Sequence, residues 1–160
     1  MAMDVFLEID GVKGEAKDAE KKEAIDVLAW SWGMSQSGSM HVGGGGGSGK
    51  VSVQDVSVTK YVDNASSTLM QKCCNGKHFP SAKLTIRKAG EHPLEYWVLE
   101  LTNMLITSIS TGGSGGEDRL TENITMNFEE FKATYTNQNP DGSKGASVPI
   151  AWNIMENVEK

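Results

Sequence analysis

The sequence predicts a mainly β fold, either an antiparallel β-barrel or a two-sheet sandwich, with seven or eight strands and one lateral α-helix. Three observations support this fold class. Apolar and polar residues alternate with a period of two, the strand period, in most segments. Only residues 63–76 have helical spacing and end signals. Glycine-rich turns separate the segments, and 160 residues suffice for one domain, which we expect to span residues 1–160.

The N-terminal part begins with a predicted strand, Val5 to Val12, and a charged segment, Lys13 to Glu23. That segment has no apolar period, so we expect a solvated loop or a short turn. A strand–loop–strand unit follows from Ile25 to Tyr61. Its first arm alternates between bulky apolar residues on one face and small residues on the other. The bulky face holds Leu28, Trp30, Trp32 and Met34, and the small face holds Ala29, Ser31, Gly33, Ser35 and Ser37.

A glycine-rich loop, Gly38 to Lys50, joins the two arms. Seven of its thirteen residues are glycine, so ordering it carries a high backbone entropy cost, and we expect contacts outside the subunit to hold it. In the second arm the apolar phase slips between Val53 and Val56, which predicts a β-bulge.

The single predicted helix runs from Asp63 to Gly76. Asp63, Ser66 or Ser67 can cap its start, and Asn75-Gly76 is a typical stop. Its apolar face is predicted to hold Leu69, Met70, Cys73 and Cys74.

Four more strands complete the predicted fold: 78–88, 94–110, 120–135 and 148–154. The first alternates between an apolar face and an outer face that includes Lys83, Thr85 and Arg87; its apolar face holds Ala82, Leu84 and Ile86. The second is apolar on both faces and should be central. The third places its apolar side chains inward and polar, mostly uncharged ones outward, with a phase shift near Phe131 that suggests a bulge. The inward set is Leu120, Ile124, Met126 and Phe128, and the outward set is Thr121, Asn123, Thr125, Asn127 and Glu129. A polar loop, Asn137 to Ser147, precedes the last strand, which carries Val148, Ile150, Trp152 and Ile154.

Composition excludes several partner classes. The net charge is −6 and the arginines are only Arg87 and Arg119, which argues against binding nucleic acid or an anionic membrane. No run approaches the ~20 apolar residues of a membrane span, and the N-terminus lacks a secretory signal. We therefore expect folding in a reducing cytoplasm, where Cys73 and Cys74 remain free thiols.

No motif predicts catalysis, a cofactor or a metal. The segment from Gly44 to Val51 has phosphate-loop spacing, but Val51 replaces the expected Ser or Thr and a strand follows in place of a helix. Cys73, Cys74 and His78 lack a nearby fourth ligand, so apolar packing of the cysteines is expected. The histidines have no recognisable nucleophile context, and we predict that the protein is not an enzyme.

The small and uncharged strand faces leave two explanations open. They are either charge-poor solvated faces or the wall of a shared aqueous channel. A monomer of this length has a radius of gyration of only ~15 Å and cannot both pack a core and enclose a wide lumen, so a channel requires a ring. An alternative function is a β-sandwich carbohydrate- or ligand-binding module that uses the Trp or Thr/Asn faces, and a Cys/His hydrolase is a third. The expected use of the four tryptophans is packing in the core or at a subunit interface.

The sequence resembles the haemolysin-coregulated protein (Hcp) family of type VI secretion. The matching blocks cover nearly the whole chain: DVFLEIDGVKGE, IDVLAWSWGMSQSGSMHVGGGGGSGKVSVQDVSVTKYVD, GKHFPSAKLTIRKAG, STGGSGGEDRLTENITMNF and AWNIMEN. No single block is specific, but their combination is. The adjacent cysteines are not a motif of the family.

The resemblance implies a two-sheet β-barrel with one lateral helix, whose copies close into homohexameric rings. Rings stack into a tube that a contractile sheath drives, behind a spike protein, out of the bacterial cytoplasm and into a target cell without a Sec signal. The lumen carries small effector proteins. By position, Ser31 matches a lumen-facing residue, and alternation adds Ala29 and Gly33 to that face. The family's inter-subunit or inter-ring loop corresponds here to Ser39, Met40, His41, Val42, Gly43, Gly44, Gly45, Gly46, Gly47 and Ser48.

Overall fold

The computed structural model of the chain describes residues 3–38, 40, 48–90 and 93–160. They form a mainly β, antiparallel fold with one helix, as predicted. The elements in chain order are β1 (Met3–Ile9), β2 (Ile25–Asp26), β3 (Ala29–Ser31), β4 (Met34–Gly38), β5 (Ser48–Val53), β6 (Val56–Tyr61), α1 (Ser66–Asn75), β7 (Phe79–Lys88), β8 (Leu94–Gly112), β9 (Thr121–Gln138), β10 (Lys144–Asn153) and β11 (Val158–Glu159).

Two long strands, β8 and β9, connect the two sides of the fold. The main sheet has the order β11-β10-β9-β8-β7-β1-β2, and β9 also pairs with β6, which pairs with β3. Residues 130–138 of β9 lie in the part paired with β10, whereas residues 121–126 pair with β6. Strands β4 and β5 form a separate hairpin. Within the described residues the two end strands do not pair with each other, so hydrogen bonds do not close the barrel.

The core lies between these two sides. Leu7, Leu84, Leu99 and Ala133 stand opposite one another across β1, β7, β8 and β9, and all four are buried. Buried residues of β6, β8 and β9 form the facing layer: Val56, Val58, Ile106, Ile124 and Met126. Alternation in sequence predicted the inward positions of Ile124 and Met126 on β9 correctly.

The first arm of the strand–loop–strand unit is three short strands and not one. The chain changes partners between Val27, whose N–H donates to the Val5 carbonyl, and Leu28, whose N–H donates to the Thr59 carbonyl. The predicted bulge of the second arm is also wrong. The phase changes because β5 ends at Val53 and β6 begins at Val56, so the apolar residues belong to different sheets.

The charged segment after β1 is irregular and largely exposed, as predicted, but part of it is buried. Ala16 and Ala24 are buried in a small cluster with Phe6. Lys21 is buried, and its Nζ lies 2.9 Å from Glu8 and 3.1 Å from Glu95. The segment therefore covers the outer side of the main sheet.

This cover also buries Arg87 of β7, a position predicted to lie on the outer face. The Arg87 guanidinium pairs with Asp4 and Asp18. Its hydrogen bond to Asp18 lowers the pKa of that carboxyl to about 2 and raises the pKa of the guanidinium. The ion pairs fix the segment to the sheet without an apolar pattern in its sequence.

Helix α1 ends as predicted, at Gly76, whose φ of 67° lies in the left-handed region and whose N–H donates to the Lys72 carbonyl. Its start differs from the prediction, because the N-cap is Ala65 and has no side-chain cap. Only part of the predicted apolar face is covered: Leu69 is buried and Cys73 half-buried, whereas Met70 and Cys74 are exposed.

The last strands are longer than their apolar patterns indicate, and a turn at residues 139–143 replaces most of the predicted loop after β9. Ile124, Met126 and Phe128 are buried as predicted, but Leu120 is exposed because it precedes the strand. The phase shift before Phe131 is real, yet it is not a bulge confined to β9. On both β8 and β9 the buried residues change from one alternation phase to the other at the level of Asn103, which lies on β8 and has a φ of 51°. The pairing register between the two strands continues through this position.

Candidate functional site

Ten small, uncharged residues form one continuous surface across β3, β6, β9 and β8, which we call the uncharged wall. In the first row Ser31 stands opposite Ser57, Ser57 opposite Thr125, and Thr125 opposite Ser108. In the second row the residues that stand opposite one another are, in order across the strands, Ala29, Thr59, Asn123 and Ser110. Directly opposed residues in a sheet point to the same side, so these rows share a face. Thr107 and Asn127 complete the wall beside them.

Hydrogen bonds within the wall satisfy many of its polar groups. The Thr59 hydroxyl donates to Asn123 Oδ1 at 2.5 Å. A register shift between Ile106 and Ser108 brings both the Thr107 and the Ser108 hydroxyls to Thr125, at 2.7 and 2.6 Å. Side chains that satisfy one another leave little free energy to gain from holding a passing protein surface tightly.

The structure brings two of the three predicted lumen residues into the wall. Ala29 and Ser31 are exposed on β3. Gly33 follows β3, and its carbonyl accepts the Gln54 N–H at 2.9 Å, so it lies at the end of the wall beside the β5–β6 connection. The sequence also signalled Ser57 and Thr59, which alternate with buried Val56 and Val58, but these were not predicted.

The predicted inter-subunit loop is only partly described. Met40 is exposed, and Ser48 begins β5 opposite Gly38, so the loop prediction extended too far toward Lys50. Ser39, His41, Val42 and Gly43 to Gly47 lie outside the described residues.

A buried charged group, the Lys60 cluster, lies directly behind the wall. It consists of Lys60 on β6, Glu122 on β9, and Asp63 and Ser66 at the start of α1. Lys60 Nζ lies 2.5 Å from Glu122 and 2.9 Å from Asp63, and the side chains of Lys60 and Glu122 are fully buried. The Ser66 hydroxyl donates to Glu122 at 2.6 Å and accepts a hydrogen bond from the Asp63 N–H at 3.0 Å.

The Lys60 cluster ties helix α1 to the strands that carry the wall. Desolvating these charges costs several kcal/mol per ion, and only close pairing with good geometry offsets that cost. The arrangement therefore favours one position of β6 relative to β9. Thr59 and Asn123, the neighbours of Lys60 and Glu122, are held in register on the wall.

A second feature is an open apolar edge, formed by Met34, Tyr135, Val148 and Ile150. Tyr135 stands opposite Val148, and Ile150 opposite buried Ala133, so these side chains continue the core face of the main sheet. Among the described residues no second layer covers them: Val148 is 64% exposed and Ile150 is 56% exposed. An apolar groove of about 150 Å³ separates Ile150 from the β4–β5 hairpin.

The four tryptophans do not form a ligand platform. Trp30, Trp32, Trp97 and Trp152 are half-buried against the core. Trp30 stacks with Trp97 at 6.5 Å between ring centroids, and Trp32 meets Phe131 edge-on at 4.8 Å. The structure therefore packs all four tryptophans against the core, which is one of the expected uses.

Other reactive groups remain apart. The His78 ring Nδ1 lies 2.9 Å from Asn103 Oδ1, and Asn103 Nδ2 donates to Glu129. Over the described ranges, neither cysteine sulfur is hydrogen-bonded to His78, and no three potential metal-ligating side chains of His, Cys, Asp or Glu come together. In the same part of the chain, no helix is long and apolar enough to cross a membrane.

Fold and site together define a class: a β-barrel subunit with one smooth polar face and one open apolar edge. Comparison with known proteins agrees. Residues 6–135 match the family described as "Type VI secretion system effector, Hcp". The chain is 60% identical to "Protein hcp1" of Pseudomonas aeruginosa, with 99% of each chain covered.

Solved structures show the same similarity. A type six secretion system protein superposes with a TM-score of 0.94 at 30% identity, covering 99% of this chain and all of that chain. Hcp1 from Salmonella typhimurium superposes with a TM-score of 0.84 at 37% identity, with both chains fully covered. The chain belongs to the Hcp family of type VI secretion proteins. It is a tube subunit of that system, and the carbohydrate-binding alternative is not supported.

Proposed function

We propose that the protein closes into homohexameric rings that stack into the type VI tube, with the uncharged wall lining a lumen that carries small effector proteins. The chain acts as one domain in this assembly and has no enzymatic activity. It folds in the bacterial cytoplasm and leaves together with a spike protein when the contractile sheath shortens.

The observation that carries this proposal is the open apolar edge. It continues the core face of the main sheet but lacks the second layer that such a face requires. Beside it, β10 pairs with β11 only through Trp152 and Asn153, so within the described residues the outer edge of Lys144–Ala151 has no strand partner. An unpaired strand edge next to exposed Val148 and Ile150 is the kind of surface that a neighbouring subunit covers.

Covering this edge contributes to assembly. Full burial of a Val or Ile side chain is worth about 1.5–3 kcal/mol, and more than half of that remains available at Val148 and Ile150. Association costs about 4–15 kcal/mol, so the rest of the interface supplies the remainder. A contact in which a different surface of the neighbour fills the apolar groove is head-to-tail, and such contacts generate closed rings when the rotation between neighbours closes.

The uncharged wall supports the lumen role. Several of its hydroxyl and amide groups are hydrogen-bonded to one another, and its ten side chains carry no formal charge. The outer face of the main sheet differs, with Glu8, Lys83, Glu100 and Lys132 in one cross-strand row. A smooth polar wall suits a channel through which cargo must pass, whereas the charged face suits solvent or the sheath.

An Ile150→Asp substitution tests the assembly. A carboxylate placed at a covered interface costs several kcal/mol, so we expect monomers in analytical ultracentrifugation at a concentration where the wild type sediments as a hexamer. Met70→Asp is the matched control, because Met70 is an exposed apolar residue on α1 outside the open apolar edge. The melting temperature of both variants should lie near that of the wild-type monomer. A hexameric Ile150→Asp protein would contradict the proposed use of this edge.

A further inference from the structure

A single carboxylate, Asp55, is connected to the uncharged wall. It precedes β6 and alternates in phase with Ser57 and Thr59, so it lies at one end of the same face. Its Oδ2 accepts a hydrogen bond from the Thr107 hydroxyl at 2.6 Å, and its Oδ1 accepts one from the Asn127 amide at 2.8 Å. Within the part of the chain that the structure describes, it is the only charged side chain hydrogen-bonded to the wall.

The surrounding hydroxyls fix the orientation of this carboxylate. The Thr107 proton points to Asp55, so the Thr107 oxygen accepts from Thr125, and the Thr125 oxygen accepts from Ser108. The chain of hydroxyl groups is thus polarised toward the negative charge. Because a carboxylate has about four lone-pair sites and two are used, half-buried Asp55 retains sites for another donor.

Ring symmetry repeats the Asp55 carboxylate, so the combined electrostatic attraction is larger than that of one charge. Each subunit contributes one Asp55 at the same level of the lumen, and a cleft lined by charges of one sign concentrates ions of the opposite sign. The rest of the wall offers no competing charge. This step rests on the proposed ring.

We propose that Asp55 is a specificity-determining contact of the wall and that it selects cargo proteins presenting lysine or arginine side chains. The ammonium or guanidinium group donates to the free lone pairs of Asp55, while the neutral hydroxyls beside it contribute contact without charge preference. Cargo with an acidic surface is disfavoured at this level of the lumen.

A labelled pentalysine amide is the probe that tests this role, with pentaglutamate as the opposite-charge peptide. Binding is measured by fluorescence anisotropy at low salt to the assembled wild type, to Asp55→Asn and to Glu100→Gln. The two variants lose the same charge, but exposed Glu100 lies on the outer face of the main sheet. One exposed ion pair changes binding by roughly 1.4- to 5-fold, and a peptide that engages two or more carboxylates should lose about tenfold in Asp55→Asn.

We expect Glu100→Gln to bind pentalysine within about twofold of the wild type, and Asp55→Glu to retain most of the affinity because it keeps the charge. Pentaglutamate should bind none of them measurably. The mass of each sample is measured alongside, so failure to form rings contradicts the proposed function separately. Intact rings in which Asp55→Asn and Glu100→Gln bind pentalysine equally overturn the role of Asp55.

Discussion

Replacing Lys60 with methionine should be among the most destabilising single changes in this fold. Methionine has a similar length and keeps the apolar contacts of the lysine stem. It removes the ammonium group that lies 2.9 Å from Asp63 and 2.5 Å from Glu122, and that also donates to the Tyr61 carbonyl. Glu122 then remains fully buried with hydroxyl donors from Ser66 and Thr111 alone.

The expected cost follows from what remains buried. Breaking a buried ion pair by removing one partner costs about 3–5 kcal/mol, because the other charge stays desolvated without compensation. A domain of this size is stable by about 5–15 kcal/mol in total. Lys60→Met should therefore remove a large share of the free energy of unfolding while leaving the wall residues chemically unchanged.

Urea unfolding followed by tryptophan fluorescence measures this cost, at one protein concentration because assembly also contributes to stability. Lys132→Met is the matched control, since Lys132 is an exposed lysine on β9 and should change the free energy of unfolding by less than about 0.5 kcal/mol. A double variant, Lys60→Met with Glu122→Leu, should recover much of the loss by removing the unpaired carboxylate.

Two outcomes would refute this reasoning. One is a cost below about 1 kcal/mol for Lys60→Met, which would show that the cluster is hydrated or rearranges easily. The other is strict additivity of the two substitutions within about 0.5 kcal/mol, because residues in one charged network are expected to couple.

Three further predictions concern the covering segment, the wall and the loop. Asp18→Asn should lower the midpoint of thermal unfolding near neutral pH, because the ion pair with Arg87 lowers the pKa of Asp18. The difference from the wild type should vanish as the pH falls from about 4 to about 2, and a constant difference at all pH values would disprove the prediction. Ser31→Gln should reduce cargo retention in co-purification without changing ring mass or melting temperature, and unchanged retention would exclude Ser31 as a contact. Deleting Gly43–Gly47 should leave a folded monomer but weaken assembly in sedimentation, and unaltered assembly would contradict the role of the loop.

Sequence alternation predicted the fold well where both sides of a strand differ in polarity. The inner residues of β7, such as Leu84 and Ile86, and those of β9, such as Ile124 and Met126, are buried as expected. The exposed sets containing Ser31 and Asn123 were identified separately. Only the register through β6 shows that they form one surface, because pairing between strands distant in sequence is not encoded in either strand alone.

The misses involve contacts between segments that are distant in sequence. Lys60 and Glu122 occupy the same alternation phase as the buried valines and isoleucines of their strands, and they stand directly opposite each other. Two opposite charges at inward positions were the sequence signal that could have predicted this buried ion pair. Arg87 was placed outside because nothing in the period of the Lys13–Glu23 segment predicts that ion pairs hold it against the sheet. Val148 and Ile150 share the alternation phase of half-buried Trp152, but alternation cannot tell which apolar faces the subunit itself covers.

The most direct test of the account is a cryo-electron microscopy structure of the purified wild-type protein in solution. We predict hollow six-membered rings in which Ser31, Ser57, Thr125 and Ser108 face the lumen and the edge at Val148 and Ile150 is covered by the neighbouring subunit. A monomer at high concentration, or rings with the uncharged wall turned to the outside, would contradict it.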